Sequence, residues 1–320
     1  MLLLPDAWTW DCWFVDDGER CHAFYLKASR ALHDPELRHL HASVGHAVSD
    51  DLRTWTELPD ALVPSDEHGA FDDVATWTGS VVRDPQHGWR LFYTGRGSRE
   101  PVERQRIGSA VSADLVTWHR DLSSGPVEAD PRWYETWGSA GSPSGWGDEA
   151  WRDPWVFPDA GGRGWHLVAT ARSVAGDRLD RGVLGHAVSA DLRTWTVTEP
   201  WTRPGEGFAQ LEVPQLVQVE GRWALVFSCL PPELAGARRG TVPSCGMWAV
   251  AVDGPTGPFD LAGAAPLTDS SLYAGRVVEA RDGSAQLLAF VQRDDAGRFV
   301  GGICDPLPVR WSGDVLVVGP

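Results

Sequence analysis

Three acidic residues stand out by their surroundings. Asp11 lies in WTWDCWFV (8–15), Asp153 in WRDPWVF (151–157) and Glu212 in LEVPQLV (211–217). Counting nine residues back from the turn glycines Gly162 and Gly221 gives Asp153 and Glu212; counting seven back from Gly18 gives Asp11. Carboxylates at corresponding points of a repeated fold converge on one pocket. There, one protonated carboxyl donates to a leaving glycosidic oxygen, while an ionised one attacks the sugar or activates water. A third acid raises a neighbour's pKa or holds a hydroxyl. Trp8, Trp10 and Trp13 surround Asp11, and Trp151 and Trp155 flank Asp153. Aromatic faces pack on the C–H faces of sugars and leave the edges free for polar contacts. The same register offers Trp77 and Thr78 beside Gly79, Arg152 beside Asp153 and Tyr273 beside Ala274 as substrate contacts. A single acid at a strand start is as readily a turn cap. Asp50, Asp51, Asp114 and Asp191 are expected to be that.

The elements that must position these residues are repeated. GHAVSDDLRTW (45–55), GSAVSADLVTW (108–118) and GHAVSADLRTW (185–195) are nearly the same, with weaker echoes at 247–259 and 299–311. Each reads as an alternating strand, an Asp-containing turn and the start of another strand closed by an aromatic. Five hairpins with glycine turns interleave with them, at 13–26, 80–93, 154–169, 214–227 and 276–290. Dividing 320 residues by five units gives 64 per unit. Units of four strands that cannot bury their faces alone are blades. The expectation is an all-β fold: a five-bladed β-propeller with four-stranded antiparallel blades, one catalytic domain over 1–320. The stretch 121–150 is too long for a simple connector and reads as a surface loop or a lid. Its Trp133-Tyr134-Glu135 cluster reads as a loop anchor or a subsite.

Composition excludes several classes. With 28 Lys plus Arg against 44 Asp plus Glu, the formal net charge is −16, which opposes nucleic acid and anionic membrane surfaces as partners. Five Cys without a C-x-x-C pair argue against a disulfide framework, and no signal peptide is legible at the N-terminus, so the expected location is cytoplasmic. No His/Cys spacing suits zinc, so neither metal nor cofactor is expected, and His46 and His186, at one repeat position, read as blade packing. The chain holds 18 Trp, of which Trp55, Trp118 and Trp195 recur once per repeat and should pack between blades.

The blocks around Asp11, TWTGS at 76–80, and the blocks around Asp153 and Glu212 resemble, in that order, those of the five-bladed furanosidase propellers. These are glycoside hydrolase families 32 and 68, with family 43 more distant. Trp10-Asp11-Cys12-Trp13 resembles the Trp-Asp-Ser-Trp block of levansucrases, Trp77-Thr78-Gly79-Ser80 their Trp-Ser-Gly-Ser block, and Arg152-Asp153-Pro154 the Arg-Asp-Pro motif. The Trp-Met-Asn-Asp-Pro-Asn-Gly block and the Glu-Cys pair are absent from the sequence, and no C-terminal β-sandwich of the kind usual in family 32 is expected. The resemblance implies a retaining hydrolase or transglycosidase for a small β-fructofuranoside-like saccharide. Asp11 would be the nucleophile, Glu212 the acid/base and Asp153 the transition-state stabiliser. Arg152 is expected to keep Asp153 ionised. Two other readings stand beside it: an inverting family 43-like arabinofuranosidase or xylosidase, with Asp11 as base, and a non-catalytic sugar- or protein-binding propeller.

Overall fold

Each predicted hairpin forms the two inner strands of one blade, because its apolar residues alternate over two short runs joined by a glycine turn. The computed structural model describes residues 1–99, 104–137 and 149–319. The five inner strands are Ala7–Asp16, Ala75–Asp84, Arg152–Pro158, Glu212–Val219 and Leu272–Glu279. Blades one to four are four-stranded antiparallel sheets in simple sequential order. Blade five departs from the four-stranded pattern: Phe299–Ile303 and Leu307–Ser312 pair with successive parts of Ala285–Arg293, giving five strands. Leu2 pairs with Ile303 in both directions (3.0 and 2.9 Å), joining the residues that lead into blade one to blade five and closing the ring.

The near-identical repeats are the third strand of a blade and its outer turn. In each, an Asp accepts N–H groups two and three residues on: Asp51 from Arg53 and Thr54, Asp114 from Val116 and Thr117, Asp191 from Arg193 and Thr194. These three are turn caps, as expected. Trp118 meets Phe24 of blade one edge-on at 5.7 Å, and Trp195 meets Phe92 of blade two at 5.5 Å. Trp55 leans on Phe14 of its own blade, within a cluster that includes Val278 of blade five. His46 stacks on Phe24 at 4.5 Å and His186 on Trp201 at 3.8 Å. Tyr134 bonds the Thr198 carbonyl, and Glu135 pairs with Arg172 and Arg181, so this cluster anchors its loop. Residues 138–148 of the expected surface loop or lid lie outside the described residues.

Buried hydroxyls tie the blades at one level. Thr94 of blade two donates to the Thr78 carbonyl at 3.2 Å and accepts the Asp153 N–H of blade three at 3.0 Å. Thr170 of blade three donates to Asp153 Oδ2 at 2.7 Å and accepts the Val213 N–H of blade four at 3.3 Å. Ser228 of blade four accepts the Ala274 N–H of blade five at 3.0 Å. Thr170→Val keeps the shape and removes two bonds from a fully buried group, so it should cost about 1–3 kcal/mol in urea unfolding. Thr170→Ser should recover most of that loss; a valine variant as stable as wild type would sever this link between hydroxyl and fold.

Candidate active site

Every inner strand is interrupted at the same level. The register with the neighbouring strand shifts between Trp10 and Cys12, Trp77 and Gly79, Glu212 and Gln215, and Tyr273 and Arg276. In blade three the shift falls between Val168 and Thr170, opposite Asp153. A β-bulge of this kind turns an extra side chain out of the pleat, and bulges recur beside active sites. Four of the bulge residues have left-handed backbone: Asp11 (φ 33), Asp153 (φ 56), Val213 (φ 51) and Ala274 (φ 47). Asp visits this region more readily than most residues; a β-branched valine does so only where its surroundings force it. Strain of this sort costs on the order of 1–3 kcal/mol per residue and collects at functional sites.

The bulges build two tiers around the channel mouth. The residues just before them are Trp10, Trp77, Arg152, Glu212 and Tyr273, and the bulge residues are Asp11, Thr78, Asp153, Val213 and Ala274. All of these except Ala274 line one cavity of about 140 Å³. This corrects the register expected from the turn glycines. Asp11 and Asp153 are equivalent, but Glu212 stands one position earlier and is equivalent to Arg152. The miscount arises because hairpin loops differ in length: Pro158 pairs with Trp165 in blade three, whereas Val219 pairs with Arg222 in blade four. The three acids still converge. Trp13 does not join them: it is fully buried and stacks on Phe24 at 6.2 Å, because beyond the bulge the alternation carries it into the core between blades one and two.

Each acid has its own partners. Thr78 Oγ1 donates to Asp11 Oδ2 at 2.5 Å. Asp153 Oδ2 accepts from Thr170 and, at 3.2 Å, from the Val213 N–H. Glu212 accepts from Arg152 Nη2 on one oxygen and from the Tyr273 hydroxyl on the other. Arg152 also reaches Gln105 at 3.2 Å and Gln210, so its guanidinium is fixed independently of the acids. Beneath them, Arg276 of blade five donates to the carbonyls of Val213 and Pro214 at 2.8 and 2.7 Å, holding the turn that presents Glu212.

Burial decides the acidity of the two aspartates. It raises Asp11 to about 7, helped by the charges of Asp153 and Glu212; the Thr78 bond and Arg38 pull it back only in part. Asp153 is raised as well, by burial first, against Arg152 whose Nε lies 3.5 Å from Oδ2. Desolvation thus outweighs the neighbouring cation expected to favour the ionised form of Asp153, and the acid closest to Arg152 is Glu212.

Sequence reasoning missed half of the wall. Arg38 and His39 come from the 3-10 segment Pro35–Leu40, which no repeat foreshadows. Leu230 and Glu233 come from the connection after the second strand of blade four, and Gln292 and Phe290 from blade five. Leu26 and Phe290 were findable: they pair with Trp10 and Tyr273, the positions that take Thr94, Thr170 and Ser228 in the other blades. An apolar residue replacing a hydroxyl in a repeat marks a wall that faces the cavity.

With this geometry in hand, the comparisons agree on a family. Residues 14–298 match the model of the glycosyl hydrolases family 32 N-terminal domain, and the chain belongs to that family. Asp11 lies just ahead of the matched range. A levanase from Bacillus sp. (strain L7) is 31% identical over 206 residues, 57% of this chain and 19% of that protein. Beta-fructofuranosidase 1 from Zea mays is 33% identical over 90 residues, 27% of this chain and 13% of that protein. The aligned stretches thus span less than a fifth of these relatives. Among solved structures, inulosucrase from Halalkalicoccus jeotgali bound to kestose superposes with a TM-score of 0.76 at 21% identity, covering 98% of this chain and 87% of that one. A Bombyx mori GH32 beta-fructofuranosidase gives 0.74 at 18% identity, over all of this chain and 64% of that one. Both share the fold.

The raised acidity of Asp11 has a sign that stability measurements can read. A carboxyl near 7 when folded and 3.8 when unfolded holds its proton longer in the folded chain, so its contribution is full below 3.8 and is lost as pH rises through 7. Asn at position 11 keeps the acceptor and removes the charge. Asp11→Asn should therefore raise the melting temperature at pH 8 and leave it near wild type at pH 4. An equal shift at both would show that no buried charge is being relieved.

Proposed function

We propose that this protein is a retaining glycoside hydrolase that cleaves a small β-fructofuranoside-like saccharide, with transfer to a sugar acceptor as a side reaction. The observation that carries the reading is the convergence of Asp11, Asp153 and Glu212 on one small cavity walled by Trp10, Trp77 and Tyr273. Its volume of about 140 Å³ is below the range of drug-sized pockets and suits one sugar ring. Family membership supports the chemistry. In this reading Glu212 protonates the leaving glycosidic oxygen while the Asp11 carboxylate bonds to the anomeric carbon, giving a glycosyl ester. Glu212 then removes a proton from water, which displaces Asp11; a sugar hydroxyl in place of water gives transfer. Asp153 holds ring hydroxyls, and its rigid seat between Thr170 and Val213 lets it do so without reorganising. Tyr273 and Arg152 hold Glu212 in place. The five cysteines are free and buried, which supports the cytoplasmic placement.

The reading is tested on aryl fructofuranosides and short fructans. Asp11→Asn and Glu212→Gln should each lower kcat by about 10²–10⁴-fold on a substrate that wild type turns over. A wild type without turnover on any furanoside, binding sugars as well as both variants do, would leave a binding propeller instead. A second measurement uses pH. Activity should rise as Asp11 ionises, with an acid limb near 7. Because the Thr78 bond lowers that pKa, Thr78→Val should move the limb to higher pH. An unmoved limb would remove Asp11 from the role of the titrating group.

A further inference from the structure

Arg38 lines the cavity that holds the three acids, yet none of its hydrogen bonds goes to them. It is only 7% exposed. Its guanidinium carbon lies 4.7 Å from the Phe299 ring centre and 5.5 Å from that of Trp10, so two aromatic faces set its plane. The described hydrogen bonds leave from one nitrogen: Nη1 donates to the Pro35 carbonyl at 2.7 Å and reaches Glu36 at 3.5 Å. Nε is buried without a partner among the described residues, and no described bond uses Nη2. These two nitrogens form the fork edge of a guanidinium, which takes two oxygens side by side. The described bonds of the acids go elsewhere: Asp11 Oδ2 to Thr78, Asp153 Oδ2 to Thr170 and Val213, and both oxygens of Glu212 to Arg152 and Tyr273. A buried cation with its fork unmet is costly unless a ligand completes it.

We propose that Arg38 is a substrate-binding residue that sets specificity, its Nε–Nη2 edge taking two neighbouring oxygens of the sugar, as a vicinal hydroxyl pair or a phosphate. This rests on the cavity being a sugar site. The fork explains why an arginine, rather than a lysine, is stacked here: a point charge would serve for steering but would not select paired oxygens.

The test is calorimetric titration of wild type, Arg38→Ala and Arg38→Lys with fructose and with fructose 6-phosphate, where no turnover is needed. Arg38→Ala should weaken binding by about 10- to 100-fold, and lysine should recover only part of it. A loss with both sugars assigns the hydroxyl pair; a loss confined to the phosphorylated sugar assigns the phosphate. Affinities in Arg38→Ala within about twofold of wild type, full recovery by lysine, or a wild type that binds neither sugar would each overturn the proposal. Should the alanine variant fail to fold, the lysine variant decides: unchanged affinity overturns, weakened affinity supports. A wild type that cleaves furanosides without dependence on Arg38 fails this proposal alone, and one that binds through Arg38 but never cleaves fails only the hydrolase reading.

Discussion

The site depends on hydrogen bonds that tie each blade to the next around the channel mouth, from blade one to blade five. Asp11 of blade one accepts from Thr78 of blade two; the Thr78 carbonyl accepts from Thr94, which receives the Asp153 N–H of blade three. Asp153 accepts from Thr170, which receives the Val213 N–H of blade four, and Ser228 of that blade receives the Ala274 N–H of blade five. Three of these bonds satisfy the backbone N–H groups of the bulge residues Asp153, Val213 and Ala274, and together the bonds fix one bulge relative to the next. The left-handed backbone at Asp11, Asp153, Val213 and Ala274 persists because these bonds over-determine it. The positions of the acids are thus a property of the whole ring, and no single blade could hold them.

The same chain explains how carboxylates survive in a largely apolar mouth. Trp10, Trp77, Leu26 and Phe290 exclude water, which raises Asp11 and Asp153 by desolvation. The hydroxyl and amide donors aimed at each aspartate offset part of that cost, and Arg152 and Arg276 brace blade four, where Glu212 stands. A buried acid poised near neutrality is what a reacting group needs, and the fold bears the strain elsewhere.

Much of this was legible in the sequence. Repeats of near-constant length gave the blade count, since only stacked units would bury such short strands. Asp11 and Asp153 were visible because acids rarely stand among tryptophans at strand starts, and Glu212, Trp77, Thr78, Arg152 and Tyr273 followed from the count back from the turn glycines. Two things were not legible. The hairpin loops differ in length and the bulges break the alternation along each inner strand, so Glu212 was placed in the wrong tier and Trp13 was given to the cavity instead of the core. Arg38 and His39 come from the connection between the second and third strands of blade one, a segment outside the repeated blocks and so without a copy against which to be read. The hydroxyls Thr94, Thr170 and Ser228 were in plain sight at one position of three hairpins, but their meaning needs the neighbouring blade.

The central claim is that Asp11 is a nucleophile rather than a base that activates water. The most direct measurement is the anomeric configuration of the first product, followed by NMR before mutarotation while wild type cleaves a β-fructofuranoside. Release of the β-anomer is the predicted result, because two displacements restore the starting configuration. Release of the α-anomer would contradict the account, since a single displacement would then be carried out by water.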